Sequence, residues 1–243
     1  MVEFKNVSLI LSENEILKDV SFHLDEGHII LLSGNSGEGK STILKLILGL
    51  LKPTSGSIYV FGKNLNALPT KEIMKIRQQC GIVFQNGALF DSLNVEENVS
   101  FFLREGLHME RVEAHKRVLE ILDYLGLKDY LYYYPDQLSG GMKKRVAIAR
   151  AIVTHPRLLL YDEPTAGLDA LTAFRVVDLI KDLQKRLNVT SLIVSHELHY
   201  FARTIDKNIH LENGYITSEK ENNEELAALT EKMFLDHFIR SKN

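Results

Sequence analysis

Short apolar runs alternate along the chain with amphipathic helical stretches, the order expected of an α/β fold with a parallel sheet and helices packed on it. Three runs are continuous rather than alternating: HIILLSG at 28–34, RLLLYDEP at 157–164 and TSLIVSHE at 190–197. Strands buried on both faces read this way, and each of these runs ends in polar or glycine residues. Ligands in open parallel sheets collect at the carboxyl ends of the strands, so the three endings are expected to converge on one site. VEFKNVSLIL, ILKDVSFHL and SGSIYVFG near the start are strand-like with turn residues between them, which predicts a small antiparallel sheet beside the main one. Between about 86 and 151 the pattern turns helical, from VEENVSFFLRE through RVEAHKRVLEILDYLGL to GGMKKRVAIARAIV, and predicts a helical lobe inserted in the sheet domain. EKENNEE at 219–225 reads as a solvated hinge, followed by a helix over 224–240 with Leu226, Leu229, Met233 and Phe238 on one stripe. That stripe suits packing on its own domain and docking of a partner subunit equally well. The expected organisation is one domain over 1–217, then the hinge and helix over 218–243.

Composition narrows the class of function. The 243 residues are 45% hydrophobic and 25% charged, an ordinary globular balance. Lys and Arg number 29 against 32 Asp and Glu, so no overall basic excess points to nucleic acid as a partner. Cys80 is the single cysteine, which excludes an intramolecular disulfide, and it reads as a core residue just before the strand GIVFQ. MVEFKNVSLI lacks the layout of a signal peptide, and ILKLILGLL at 43–51, interrupted by Lys45, is too short to span a bilayer. Any role at a membrane is therefore expected to run through a partner.

The chemistry is concentrated in a few motifs. GNSGEGKS at 34–41 matches the phosphate-binding pattern G-x-x-x-x-G-K-[ST] and lies between a predicted strand and the apolar helix STILKLILGLL. Gly34, Gly37 and Gly39 let the backbone of Asn35, Ser36 and Glu38 curl so that N–H groups point at phosphate oxygens, and the helix adds its positive end. Lys40 is expected to reach the β- and γ-phosphates, Ser41 to offer its hydroxyl to magnesium, and Thr42 to add a phosphate contact. Asp162, ending a buried run, is a second magnesium candidate. Glu163 beside it is left as the general base for an attacking water. His196 follows the third run and is expected near the γ-phosphate in a polarising or sensing role, with Glu197 and His199 as bystanders. Gln85 can contact the magnesium or the water and report occupancy to the helical lobe. LSGGM at 138–142 makes a second anion site from Ser139, Gly140 and Gly141, in a different lobe, and is expected to serve another subunit's nucleotide. Lys143, Lys144 and Arg145 after it read as a solvated helix face.

In this order and spacing, GNSGEGKS, Gln85, LSGGM, LLLYDEP, TAGLD ending at Asp169, and His196 resemble the ATP-binding subunit of ATP-binding cassette transporters over nearly the whole chain. The resemblance implies a P-loop fold with a RecA-like mixed sheet, an antiparallel β-subdomain and an inserted α-helical subdomain. It also implies ATP and Mg2+ as cofactors and a head-to-tail dimer in which each ATP lies between one P-loop and the other subunit's LSGG turn. Asp169 would then lie at the dimer interface. FQNGALFDSLNVEENVSFFLRE at 84–105 and the methionine of LSGGM look like the ATPase of phospholipid and mammalian-cell-entry systems. That narrower likeness implies lipid cargo, an integral-membrane permease seated near 86–105, a substrate-binding lipid-carrier protein, and a peripheral place on the cytoplasmic face of the inner membrane. The family usually has an aromatic residue near position 11 to stack on adenine; here it is Leu11, with no neighbour at 9–13 able to stack. The alternatives are a soluble cassette of the iron–sulfur cluster assembly type, separable by whether a polytopic protein co-purifies, and an ABC transporter ATPase for another cargo. DNA-repair and ribosome-associated cassettes are disfavoured, because they need long insertions or two cassettes. A P-loop kinase gives no reason for LSGG or the Asp162–Glu163 pair.

Overall fold

The computed structural model describes residues 1–221, so the expected C-terminal helix, with Leu226, Leu229, Met233 and Phe238, lies outside the described residues. Strands β1 (Val2–Leu11) and β2 (Asn14–Leu24) form a hairpin. β3 (Ile29–Ser33) follows, then helix α1 (Lys40–Ile47). β4 (Ser55–Val60) and the short β5 (Lys63–Asn64) complete an antiparallel sheet in the order β2-β1-β4-β5. This is the small sheet that the opening alternation predicts. Gly56 adopts φ 82° where β4 passes β1, and a Cβ there would meet the Asn6 carbonyl at 2.2 Å, so only glycine fits the crossing.

Helix α2 (Thr70–Arg77) leads into β6 (Cys80–Val83). The helical lobe then contains α3 (Val95–Phe101), a π-helical turn (Phe102–Gly106), α4 (Arg111–Tyr124) and α5 (Gly140–Ile152). Asn94 caps α3 through a reciprocal pair with Glu97, both bonds 2.9 Å. The chain returns to the sheet as β7 (Leu158–Asp162), α6 (Ala170–Leu187), β8 (Thr190–Ser195), α7 (Leu198–Phe201), β9 (Lys207–Glu212) and β10 (Tyr215–Glu221). The six-stranded order is β10-β9-β3-β8-β7-β6, parallel except for β10.

Period-two alternation explains why the central strands are apolar throughout. Ile29, Leu31, Leu159, Tyr161 and Ile193 face a core shared with α5, α6 and the helical lobe. Their alternates Ile30, Leu32, Leu158, Leu160, Leu192 and Val194 face a second core made with α1 and the antiparallel sheet. Burying each such side chain is worth about 1.5–3 kcal/mol, so the two cores together fix the register that aligns the strand ends.

Two expectations need correction. The start of EKENNEE is not hinge: Glu219, Lys220 and Glu221 pair with Ile209, Asn208 and Lys207 as the end of β10. The reason is electrostatic, since the nearly buried Lys207 ammonium needs a partner and finds the Glu219 carboxylate. Cys80 is half-buried against the core rather than within it, donating its thiol to the Ile76 carbonyl, and burial pushes its pKa up to about 12. A thiol held that way is inert at neutral pH.

Candidate functional site

Because β8 lies between β3 and β7, and β6 lies beyond β7, four strand ends open on one edge of the sheet. Gly34–Gly39 leaves β3, Asp162 and Glu163 end β7, His196 follows β8, and Gln85 follows β6. A cleft of about 350 Å3 is lined by Leu11, Ile16, Ser36, Gly37, Gly39, Lys40, Ser41, Thr42, Gln85, Glu163 and His196. The convergence expected from the three apolar runs is thus what the topology produces.

Backbone shape makes the cradle. Gly34 has φ 153° and a Cβ there would meet the Leu211 carbonyl at 2.3 Å, while Gly39, φ 98°, caps α1 against Ile16 and Leu17. Amides at the start of α1 therefore face the cleft at the positive end of the helix. Glu38 turns away from the cleft and accepts a bond from the Asn213 amide, which ties the loop to the β9–β10 turn. Asn35 and Ser36 lie exposed along the loop, and the Asn35 carbonyl accepts from Lys40.

Lys40 is buried, its side chain only 5% exposed. Its ammonium donates to the carbonyls of Gly34 and Asn35, each at 2.8 Å, and stands 3.7 Å from Glu163 Oε1. Ser41 Oγ donates to Asp162 Oδ1 at 2.7 Å. Glu163 adopts φ 46°, a conformation costly for a residue with a side chain, with its amide bonded to Val194 O at 2.9 Å. That turn aims the carboxylate at three groups: Lys40, the Ser195 hydroxyl at 3.1 Å, and His196 Nδ1 at 3.0 and 3.1 Å from its two oxygens. Glu163 is nearly buried while His196 is about half exposed. The Ser41 hydroxyl, the Gln85 amide and the Asp162 carboxylate supply only hard oxygen donors, the set that magnesium takes, so these residues fit that ion.

Ser139, Gly140, Gly141 and Asp169 are not in this cleft. They line a separate groove of about 700 Å3 with Tyr124 at the end of α4, Arg175 of α6 and other residues of α5 and α6. Ser139 caps α5, accepting from Met142 N at 3.3 Å, and Asp169 caps α6, accepting from Thr172 N at 3.0 Å and Thr172 Oγ1 at 2.6 Å. The Thr172 bonds hold the Asp169 carboxyl below its ordinary pKa. Both residues are exposed, so each is free to meet a second subunit.

Sequence reasoning misread two features. Lys143, Lys144 and Arg145 are not a solvated face, for the Lys144 side chain is buried, with its ammonium on the carbonyls of Gln85 and Glu163. Arg145 donates to Leu125 O at 3.2 Å. Burial lowers the Lys144 pKa, and the nearby charges of Asp162 and Glu163 oppose that shift. Glu197 is not a bystander either: it accepts from Thr165 Oγ1 at 2.6 Å, and its amide donates to Ser195 Oγ at 3.0 Å, bracing the serine that holds Glu163.

A family model described as ABC transporter matches residues 17–166. The methionine import ATP-binding protein MetN of Helicobacter acinonychis is 41% identical over 217 residues, 89% of this chain and 66% of that protein. MetN of Carboxydothermus hydrogenoformans is 38% identical over 222 residues, 90% of this chain and 66% of its own. The chain thus spans 66% of the length of these curated relatives. Among solved structures, a dimeric post-hydrolysis state of the ATP-binding cassette MJ0796 bound to ADP and Pi superposes with a TM-score of 0.82 at 36% identity, covering 92% of this chain and 99% of that one. CbiO1 of Clostridium perfringens, part of the ABC transporter complex cbiONQ, gives 0.83 at 30% identity over 99% of this chain and 93% of the other. With the ABC transporter family model matching more than half of its length, and a fold in common with these solved cassettes, the chain belongs to the ABC transporter family as one of its ATP-binding cassettes.

Proposed function

We propose that this chain is the ATP-hydrolysing motor subunit of an ABC transporter, acting as a head-to-tail dimer on a membrane-embedded permease. The observation that carries the reading is the arrangement of Glu163, a nearly buried carboxylate held by Ser195 and His196 beside the phosphate cradle of 34–42. Lys40 is the cation that a phosphate would draw from its present carbonyl and carboxylate partners. Ser41, Gln85 and Asp162 would hold Mg2+, which when bound offsets phosphate charge. Glu163 then takes the proton of the attacking water, and His196, with its proton on Nδ1, keeps the carboxylate oriented. Placement of Ser139, Gly140, Gly141 and Asp169 in a groove apart from the P-loop cleft supports a nucleotide site completed by a second subunit.

The permease surface is the exposed aromatic stretch around 86–105, where Phe90 and Phe101 rings lie 4.8 Å apart and remain about 40% exposed. Among the described residues no helix is long and apolar enough to cross a membrane. Attachment to the inner face of the plasma membrane would rest on that surface. As for cargo, the MetN relatives are named for methionine import, which favours that amino acid over the phospholipid that GALF at 87–90 suggests, and a lipid-carrier partner has no support among them. The test is to replace Glu163 by Gln in the native host and follow uptake of labelled methionine alongside the lipid composition of the envelope membranes. Loss of methionine uptake with unchanged lipids supports the import reading; altered lipids with normal uptake restores the lipid reading; neither change removes both cargoes.

The base pocket yields a separate prediction. Leu11, at the end of β1, and Ile16 give the cleft an aliphatic wall where the family usually has an aromatic ring. An aliphatic wall contacts any purine but forms no ring stack, which is worth about 0.5–1.5 kcal/mol. ATP and GTP are therefore expected to be hydrolysed with kcat/KM values within about tenfold of each other, and Leu11→Tyr to lower KM for both by roughly two- to tenfold. Steady-state kinetics with the two nucleotides decides it, and strong ATP preference in the unaltered protein would sink the idea.

A further inference from the structure

Helix α5 begins at the LSGG turn, yet two cations farther along it reach back to the loop that follows β6. The Lys144 ammonium donates to the Gln85 carbonyl and stands 3.5 Å from the Glu163 carbonyl. Arg150 donates to Gly87 O at 2.6 Å and to Ala88 O at 2.7 Å. The carbonyls at 85, 87 and 88 are thus all taken by one helix. Gly87 and Ala88 have φ 73° and 46°, the left-handed turns that this loop needs to present them. Arg150 holds only the loop. Lys144 differs, because its one buried ammonium spans two elements: the loop that carries the Gln85 side chain and the end of β7 that carries the Glu163 carboxylate. The residue is only 6% exposed, and an ammonium so placed is costly unless its donors are used, so the group is anchored where it lies. It has no contact with Gly34–Gly39 or with Lys40 among its hydrogen bonds.

We infer that Lys144 is a positioning residue, a cross-link that keeps Gln85 and Glu163, at the ends of the paired strands β6 and β7, in a fixed relation in the cleft. It does so without touching nucleotide, and its kinetic consequence rests on the ATPase reading above. Because it belongs to the helix that Ser139 caps, it also joins a subunit's LSGG turn to that subunit's own hydrolytic residues. Contact made at the LSGG turn by the second subunit thereby reaches the Gln85 loop through one rigid helix.

The experiment uses Lys144→Met, which keeps length and removes every donor, and Lys144→Gln, which keeps a neutral donor. Deuterium exchange is followed peptide by peptide in the nucleotide-free protein, and ATPase kinetics are measured on the same samples. In Lys144→Met, amides of 84–90 are expected to exchange about tenfold faster, with the P-loop amides unchanged; kcat falls about tenfold while KM for ATP stays within twofold. Lys144→Gln lies between that variant and the parent in both readouts. Unchanged exchange at 84–90 overturns the inference whatever the kinetics show. Faster exchange spread evenly over the chain, or a rise in KM matching the fall in kcat, overturns it in favour of a merely structural lysine. Should Lys144→Met fail to fold, acceleration confined to 84–90 in Lys144→Gln supports the cross-link and its absence overturns it. An unaltered protein without ATPase activity would refute the motor reading, while exchange at 84–90 still decides the role of Lys144.

Discussion

Lys40→Ala is expected to abolish ATP binding while leaving a folded protein. The buried ammonium makes two bonds to carbonyls of its own loop and faces Glu163 at 3.7 Å, so it is already held at the cradle when no nucleotide is present. Phosphate oxygens would replace those partners with charge-assisted bonds, each worth about 1.5–3 kcal/mol. Losing two such bonds weakens binding by roughly 10²- to 10⁴-fold. The substitution also leaves Glu163 without its nearest cation, but Ser195 and His196 still hold the carboxylate, so a modest fall in Tm is expected rather than unfolding. Titration with a fluorescent ATP analogue, beside a thermal melt, checks both halves. A Kd within threefold of the unaltered protein would remove Lys40 from the phosphate site.

The sequence makes the cradle legible because a phosphate loop is backbone chemistry, and glycines at 34, 37 and 39 followed by Lys-Ser leave little else for the chain to do. The central sheet is legible for a related reason: residues buried on both faces cannot alternate with polar ones, so Ile29–Ser33, Leu158–Asp162 and Thr190–Ser195 stand out. What escaped reading was a set of particular side-chain contacts between segments far apart in sequence. Lys144 sits in a basic triplet, and helical spacing alone does not reveal that its side chain reaches the carbonyls just past the ends of β6 and β7. Glu197 beside His196 gives no hint of Thr165, which is 32 residues away. Glu219 is likewise read as hinge until its salt bridge to Lys207 on the neighbouring strand is seen. Local pattern encodes local geometry, whereas these side chains are assigned by strand order, which the pattern only partly specifies.

The same distinction bears on the groove that holds Ser139, Gly140, Gly141 and Asp169. Within one subunit, each of the two polar side chains has an adequate local reason to exist, as a helix cap on α5 or α6. A cap needs only an oxygen, and alanine in its place costs about 1 kcal/mol. Glycines at 140 and 141 are not required by capping. Gly141 is instead needed for close approach, since a Cβ there would meet Thr172 Cγ2 at 2.8 Å, drawing the start of α5 against α6. Gly140 is exposed, and a Cβ there would meet Leu168 at an ordinary 3.7 Å, so within the subunit nothing demands glycine at that position. Bare backbone at an exposed helix start suits close approach by an anion from outside the subunit.

Glu163→Gln is expected to reduce turnover by about 10²- to 10⁴-fold, the share that a general base contributes, with ATP affinity retained. The amide preserves the shape of the side chain and can still accept from Ser195 and His196, but it cannot take a proton from water. Binding survives because the cradle and Lys40 are untouched, and the loss of one negative charge beside the phosphates favours ATP slightly. Since hydrolysis no longer releases the nucleotide, the variant should accumulate as an ATP-bound dimer, visible as a doubled mass by light scattering. Adding Ser139→Arg to it places a bulky cation at the start of α5, where the other subunit's ATP would be received, and should return the mass to that of one subunit. Turnover by Glu163→Gln at the unaltered rate would move the base elsewhere in the cleft. A double variant that still dimerises with ATP would show instead that the site is complete within a single chain.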